Sequence, residues 1–166
     1  MIFLTVGTQF GFDRLVRTVD QWLAIRPQVQ VFGQIGQARF QPRHFPSVPW
    51  LERGEFLQRL RSAEGVVSHA GIGTILQCLE EKKPLLVLPR RSALGECIND
   101  HQLITARQLD RQALVQVAYD ERQLAEKLDV FHRDRPAPLA GVGSRDLIAR
   151  IREYIASIER ACQHSE

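Results

Sequence analysis

The residues best placed to do chemistry lie in VVSHAGIGTIL, residues 66–76. His69 stands at the end of an apolar, β-branched run, and Gly71 and Gly73 lead into a second apolar run. Glycines at a helix start leave main-chain N–H groups unpaired and pointing outward, and the helix dipole adds positive potential there. That combination is an anion site, and a diphosphate fits it. The backbone of Ala70, Gly71, Ile72, Gly73 and Thr74 would surround the anion. His69 could donate to a phosphate oxygen or orient a reacting group. The plainer alternative is a histidine satisfied in a turn, with Gly71 needed for backbone geometry alone.

Two further stretches carry the same kind of signal. Gly7-Thr8-Gln9 follows the first apolar run; a glycine there lets a ligand approach the backbone, and Thr8 could offer its hydroxyl to a phosphate. Its alternative is a tight turn capped by Thr8. GECINDHQLITA, residues 95–106, gathers Glu96, Asn99, Asp100, His101 and Gln102 near a helix start. Such groups suit the hydroxyls of a sugar, although Asn99 or Asp100 could equally cap the helix. Arg90 and Arg91 precede this loop and could face phosphates or solvent.

Other chemistries are poorly supported. The chain has no GxxxxGK[ST], no GxSxG and no complete GxGxxG, since Leu76 occupies the third glycine position. No Asp-x-Asp occurs, so a carboxylate-held metal on a diphosphate is not expected, and backbone donors would have to meet the charge. Cys78, Cys97 and Cys162 match no zinc or disulfide spacing and read as reduced thiols.

These stretches need elements to position them. Residues 2–6, 29–32, 65–68, 84–89 and 113–117 are short apolar runs that predict strands, with another short one near Val48. Helices are predicted over 13–25, around Phe56 to Leu60, and over 72–82, 99–110, 121–128 and 144–161. Residues 34–49, 90–98 and 132–143 read as loops. Strand alternating with helix, in strands too apolar to face solvent, predicts an α/β fold: a doubly wound parallel sheet of Rossmann-like type. In such sheets ligands bind beyond the carboxyl ends of the strands, where all three stretches fall.

The 166 residues suit one domain spanning 1–166, and 44% hydrophobic with 25% charged residues is a globular composition. A net charge of +3 fits an anionic small molecule. No basic run with interleaved aromatics occurs, so no nucleic-acid partner is expected. MIFLTVGTQF lacks the features of a signal peptide, and no run is long enough to span a bilayer.

VGTQFGFDRL, VVSHAGIGTI, KPLLVLPRR and GECINDHQLITA together resemble the carboxyl-terminal, donor-binding half of family 28 GT-B glycosyltransferases. The likeness runs from residue 2 to about 117. It is strongest toward single-half members: the catalytic subunit of the two-component UDP-N-acetylglucosamine transferase of lipid-linked oligosaccharide synthesis, and bacterial exopolysaccharide counterparts of the PssE type. The resemblance implies that Gly7, Thr8 and the turn from His69 to Thr74 hold the diphosphate of a UDP-sugar. Asp100 and Gln102 match residues that meet the donor sugar, with Glu96 and Asn99 beside them. Where many members place a ribose-binding glutamate, this chain has Gln77.

The implied activity is inverting transfer of a hexose or N-acetylhexosamine from a UDP-sugar to a lipid-diphosphate-linked sugar, with His69 and Asp100 as candidate catalytic residues and no metal or other cofactor. The implied partner is a membrane-anchored, acceptor-binding subunit that supplies the missing GT-B half and recruits this cytoplasmic chain to the membrane face. The helix over 144–161 is a candidate docking surface, or packs on its own sheet. A UDP-sugar hydrolase acting alone, or a non-catalytic nucleotide-sugar-binding subunit, are the competing functions.

Overall fold

A computed structural model of the chain describes residues 1–134, together with Ala149 and Glu153. The predicted helix over 144–161 lies outside the described residues, apart from those two positions. The strands are β1 (Ile2–Thr5), β2 (Val31–Gln34), β3 (Ser47–Val48), β4 (Gly65–His69), β5 (Leu85–Leu88) and β6 (Gln116–Val117). The helices are α1 (Asp13–Leu23), α2 (Arg53–Ser62), α3 (Ile72–Glu80), α4 (His101–Arg111) and α5 (Glu121–Asp134). A 3-10 turn, Ser92–Leu94, sits between β5 and α4.

All strand pairings are parallel, in the order β3-β2-β1-β4-β5-β6. The chain runs outward from β1 to β3, then returns to β4 on the other side of β1. That reversal between β1 and β4 is the switch point of a doubly wound sheet, where a crevice opens beyond the strand ends.

Both faces of the sheet are covered, which is why the strands are apolar at nearly every position. Alternation assigns the faces. Ile2, Leu4, Val67, Leu86 and Leu88 pack with α1 (Leu15, Val16, Val19, Trp22) and α5 (Leu124, Leu128, Phe131). Phe3, Val66, Leu85 and Val87 pack on the opposite side with Leu60 of α2, Ile75 and Leu79 of α3, and Ala106 and Leu109 of α4. Burying a side chain of this size contributes roughly 1.5–3 kcal/mol, so both layers are held by many such residues.

Several boundaries differ from the sequence reading for identifiable reasons. β2 begins at Val31 rather than residue 29 and runs through Gly33, which pairs with Leu4. A methyl group at Gly33 would come within 2.7 Å of the Phe45 ring, so this glycine admits a core aromatic rather than ending a strand. β6 covers only Gln116–Val117, because Ala113 adopts a left-handed φ of 52° in the turn after α4. α5 continues to Asp134, past residue 128, with Phe131 buried against β4 at Gly65.

Candidate functional site

The crevice at the switch point is a cleft of about 590 Å³. Thr5, Val6, Gly7, Thr8, Gln9 and Phe10 form one wall, and His69, Gly71, Gly73, Thr74 and Gln77 form the wall opposite. Trp50, Leu51, Arg53 and Phe56, from the end of β3 and the start of α2, line it as well, with Arg90 and Gln102 contributed from beyond β5.

The two glycines that flank His69 have a role that spacing alone does not reveal. Gly7 has φ +78°, and a methyl group on it would lie 2.8 Å from His69 Cε1. A methyl on Gly71 would overlap His69 Nε2 outright. The imidazole therefore lies against two bare Cα positions, one from each wall. Gly73 differs: a methyl there would meet nothing within 4 Å, so its face is open. Of the paired glycines in the turn, one admits the histidine and the other leaves room for a ligand.

At the start of α3 the first intrahelical bond runs from Ile75 N–H to Gly71 O at 3.1 Å. The N–H groups of Ile72, Gly73 and Thr74 precede it, and no side chain caps the helix at Gly71. These are the orphan donors of a helix N-terminus, facing potential of positive sign. Ala70 is buried, and Ile72 packs against the same apolar cluster, so both contribute main chain, not side chain, to the turn.

His69 is wired from below. Ser68 Oγ–H donates to Thr5 O at 2.9 Å, and His69 Nδ1 lies 3.1 Å from Ser68 Oγ. With the serine proton directed to Thr5, the ring proton sits on Nδ1 and Nε2 is an acceptor. Burial, reinforced by the Arg90 guanidinium, pushes the imidazole down from its ordinary 6.5 to about 4, against a smaller opposing effect of the Thr5 backbone. The ring is neutral at physiological pH. Donation to a phosphate, as expected from the sequence, requires the ring proton to move to Nε2 while Ser68 turns its hydroxyl to Nδ1.

The third stretch divides. Gln102 is buried and reaches the cleft, its Oε1 accepting from Arg90 N–H at 3.3 Å, which leaves its amide N–H groups for a ligand. Glu96, Asn99 and Asp100 do not line the cleft. Glu96 is gripped by Arg14 at 2.6 and 2.8 Å and accepts from Arg91 N–H at 2.9 Å. Asp100 accepts from Ser92 N–H at 2.8 Å, which holds its carboxyl below the usual range, and Asn99 bonds to His101. In this arrangement the three organise the loop between β5 and α4. The sugar-binding and catalytic roles expected of Glu96, Asn99 and Asp100 would require that loop to rearrange.

Sequence reasoning missed Trp50, Leu51, Arg53 and Phe56. Trp50 is half exposed at the cleft. Its signal was available, because it follows Val48 and Pro49 at the carboxyl end of a strand only two residues long. Arg90, left open between phosphate and solvent, is almost wholly buried beneath the cleft.

The fold and the cleft define a doubly wound α/β domain with a crevice at its switch point lined by an uncapped helix start, one half of a GT-B fold. The chain belongs to the glycosyltransferase family 28 C-terminal domain family, whose model matches residues 1–141. It is 30% identical over 122 residues to the UDP-N-acetylglucosamine transferase subunit ALG13 of Homo sapiens, covering 67% of this chain and 10% of that protein. The mouse protein of the same name is 31% identical over 120 residues, or 66% of this chain and 10% of its own length. The chain thus spans about a tenth of the curated relatives it matches. Among solved structures, the fold is shared with ALG13 in solution (TM-score 0.64, 19% identity, 90% of this chain and 93% of that one). It is also shared with MurG of Acinetobacter baumannii (TM-score 0.59, 15% identity, 95% of this chain and 49% of that one).

Proposed function

We propose that this chain is the donor-binding, catalytic half of an inverting UDP-sugar glycosyltransferase. It would move a hexose or N-acetylhexosamine to a sugar carried on a lipid diphosphate. The observation that supports this reading most is the cleft wall made by Gly71, Gly73 and Thr74: uncapped helix-start amides beside a glycine whose face is open. A diphosphate there would be met by main-chain donors and the helix dipole. The apolar, aromatic residues Trp50, Leu51 and Phe56 suit a planar base, and Gln77, one helical turn beyond Gly73, suits ribose hydroxyls.

The reaction would be a single displacement. An acceptor hydroxyl oxygen attacks the anomeric carbon, the bond from that carbon to the diphosphate breaks, and UDP departs with the electron pair. The start of α3 stabilises the charge that develops on the leaving group. A neutral His69 supplies an acceptor at Nε2 for a hydroxyl proton rather than a positive charge for phosphate. Among the described residues no three His, Cys, Asp or Glu side chains come together as a metal site. The donor set on this wall is main-chain N–H, and a metal-independent reaction is the one this wall favours.

The acceptor would be presented by a separate, membrane-anchored subunit. That part of the proposal is supported by the ALG13 relatives, each named as a subunit of a transferase. Among the described residues no helix is long and apolar enough to cross a membrane. A cytoplasmic chain recruited to the membrane by its partner accords with the same reading.

Calorimetric titration with UDP, GDP and ADP in EDTA tests it. Micromolar, UDP-selective binding without metal is expected. A preference for ADP or GDP would overturn the UDP-sugar assignment, and UDP binding only when a divalent metal replaces EDTA would overturn the metal-independent reading.

A further inference from the structure

The loop from Val6 to Gly11 forms one wall of the cleft but has no regular structure of its own. Arg90 holds it from beneath. This residue follows β5 and Pro89 and is 2% exposed. Its Nη2 donates to Val6 O at 2.9 Å and to Phe10 O at 2.8 Å. Its Nη1 donates to Gly11 O at 2.6 Å and to Glu96 O at 3.3 Å. The guanidinium also lies 4.6 Å from the Phe12 ring centroid. One buried cation therefore touches both ends of the loop that carries Gly7 and Thr8.

The same residue also fixes a second polar group of the crevice. Its main-chain N–H fixes the Gln102 carboxamide, and the carbonyl it grips at Glu96 belongs to the residue locked by Arg14. Arg14 closes the circuit by donating to Pro89 O at 2.9 Å. Burying a guanidinium is costly unless its donors are all met. Here the direct partners among the described residues are carbonyl oxygens set in a fork that a planar, multi-donor group can span. A lysine ammonium is a point donor and cannot.

We propose that Arg90 is a positioning residue for the ligand's diphosphate, fixing Gly7 and Thr8 opposite the amides of α3 and coupling that wall to Gln102. The proposal rests on the nucleotide-diphosphate reading of the cleft. Arg90 acts through the loop it holds, and its charge adds a favourable field beneath the anion.

The test uses Arg90→Lys, which retains the charge and removes the fork. Two readouts are compared with the parent chain: amide hydrogen exchange without ligand, and titration with UDP and with uridine. Exchange over residues 6–11 should quicken by about tenfold or more while β4 is unchanged, because the loop opens locally. UDP should bind about tenfold more weakly, the scale of one lost charge-assisted hydrogen bond, while uridine affinity stays unchanged.

A residue that only stabilises the fold would weaken both ligands alike. Equal losses for UDP and uridine, UDP affinity within about twofold of the parent, or unaltered exchange over 6–11 would each overturn the proposal. If Arg90→Lys does not fold, Glu96→Gln carries the same test through Arg14, with the same selective loss expected at about threefold and its absence overturning the proposal. A parent chain that ignores UDP overturns the nucleotide reading itself. The exchange result then still decides whether Arg90 holds the loop.

Discussion

The turn from His69 to Thr74 and the loop from Arg90 to Asp100 both follow a central strand of the same sheet, and both are rich in groups that could meet a ligand. They use those groups in opposite ways. At the turn, the amides of Ile72, Gly73 and Thr74 precede the first helical hydrogen bond and no side chain caps them. In the loop, Glu96 is held by Arg14 and Arg91, Asp100 by Ser92, and Arg90 by four carbonyl oxygens. The first region keeps its donors for something else; the second uses its polar groups to build itself. Residue type and position beyond a strand are shared by both, so what separates a binding wall from a scaffold is which groups already have partners.

The largest expected effect falls on the glycines that admit His69. Gly7→Ala combines a left-handed φ with a methyl group against the imidazole and should cost about 3 kcal/mol, while Gly71→Ala displaces the ring and should cost about 1–2 kcal/mol. Chemical denaturation measures the loss. Gly73→Ala faces open space and should leave stability nearly unchanged while weakening UDP. If Gly73→Ala destabilises as much as Gly71→Ala, the division of roles between the two glycines is wrong.

His69 supplies the next. Its folded pKa of about 4 lies below its ordinary 6.5. Between those values the unfolded chain binds the extra proton, so stability is full above about pH 6.5 and falls as pH drops toward 4. The difference amounts to at most about 3 kcal/mol, since a pKa unit corresponds to about 1.4 kcal/mol. His69→Gln should flatten that part of the stability–pH profile relative to the parent. An unchanged slope would show that the imidazole is not enclosed as described.

The smallest effect separates the two regions most sharply. Asp100 is exposed and bonded to Ser92, so Asp100→Asn should leave UDP affinity within about twofold of the parent, as expected for an exposed charge. A large loss would mean that the loop rearranges on binding and brings this carboxylate to the ligand.

The fold was legible because both faces of the sheet are buried: the runs IFL, VV and LLVL are apolar at successive positions, which excludes a solvent-facing sheet and requires helices between strands. The strand, turn and helix around residues 69–74 were legible because a β-branched run, two glycines and a second apolar run follow one another. What stayed hidden depends on distance. Gly71 and Gly7 lie 64 positions apart, and only the folded sheet shows that they admit the same imidazole. Glu96 looked like a sugar ligand because its partner Arg14 is 82 residues away in sequence. Trp50 was passed over although the strand near Val48 was expected, because no glycine or polar residue directly follows Val48 to mark that strand's end as a place for a ligand.

The central claim is that the amides at the start of α3 receive the diphosphate of a nucleotide. The direct test is an amide NMR titration of the isotopically labelled chain with UDP in EDTA. The account predicts that the signals of Gly71, Ile72, Gly73 and Thr74 move with those of Gly7 and Thr8, while residues 96–100 scarcely respond. Shifts concentrated at 96–100 with the α3 turn unmoved would contradict it.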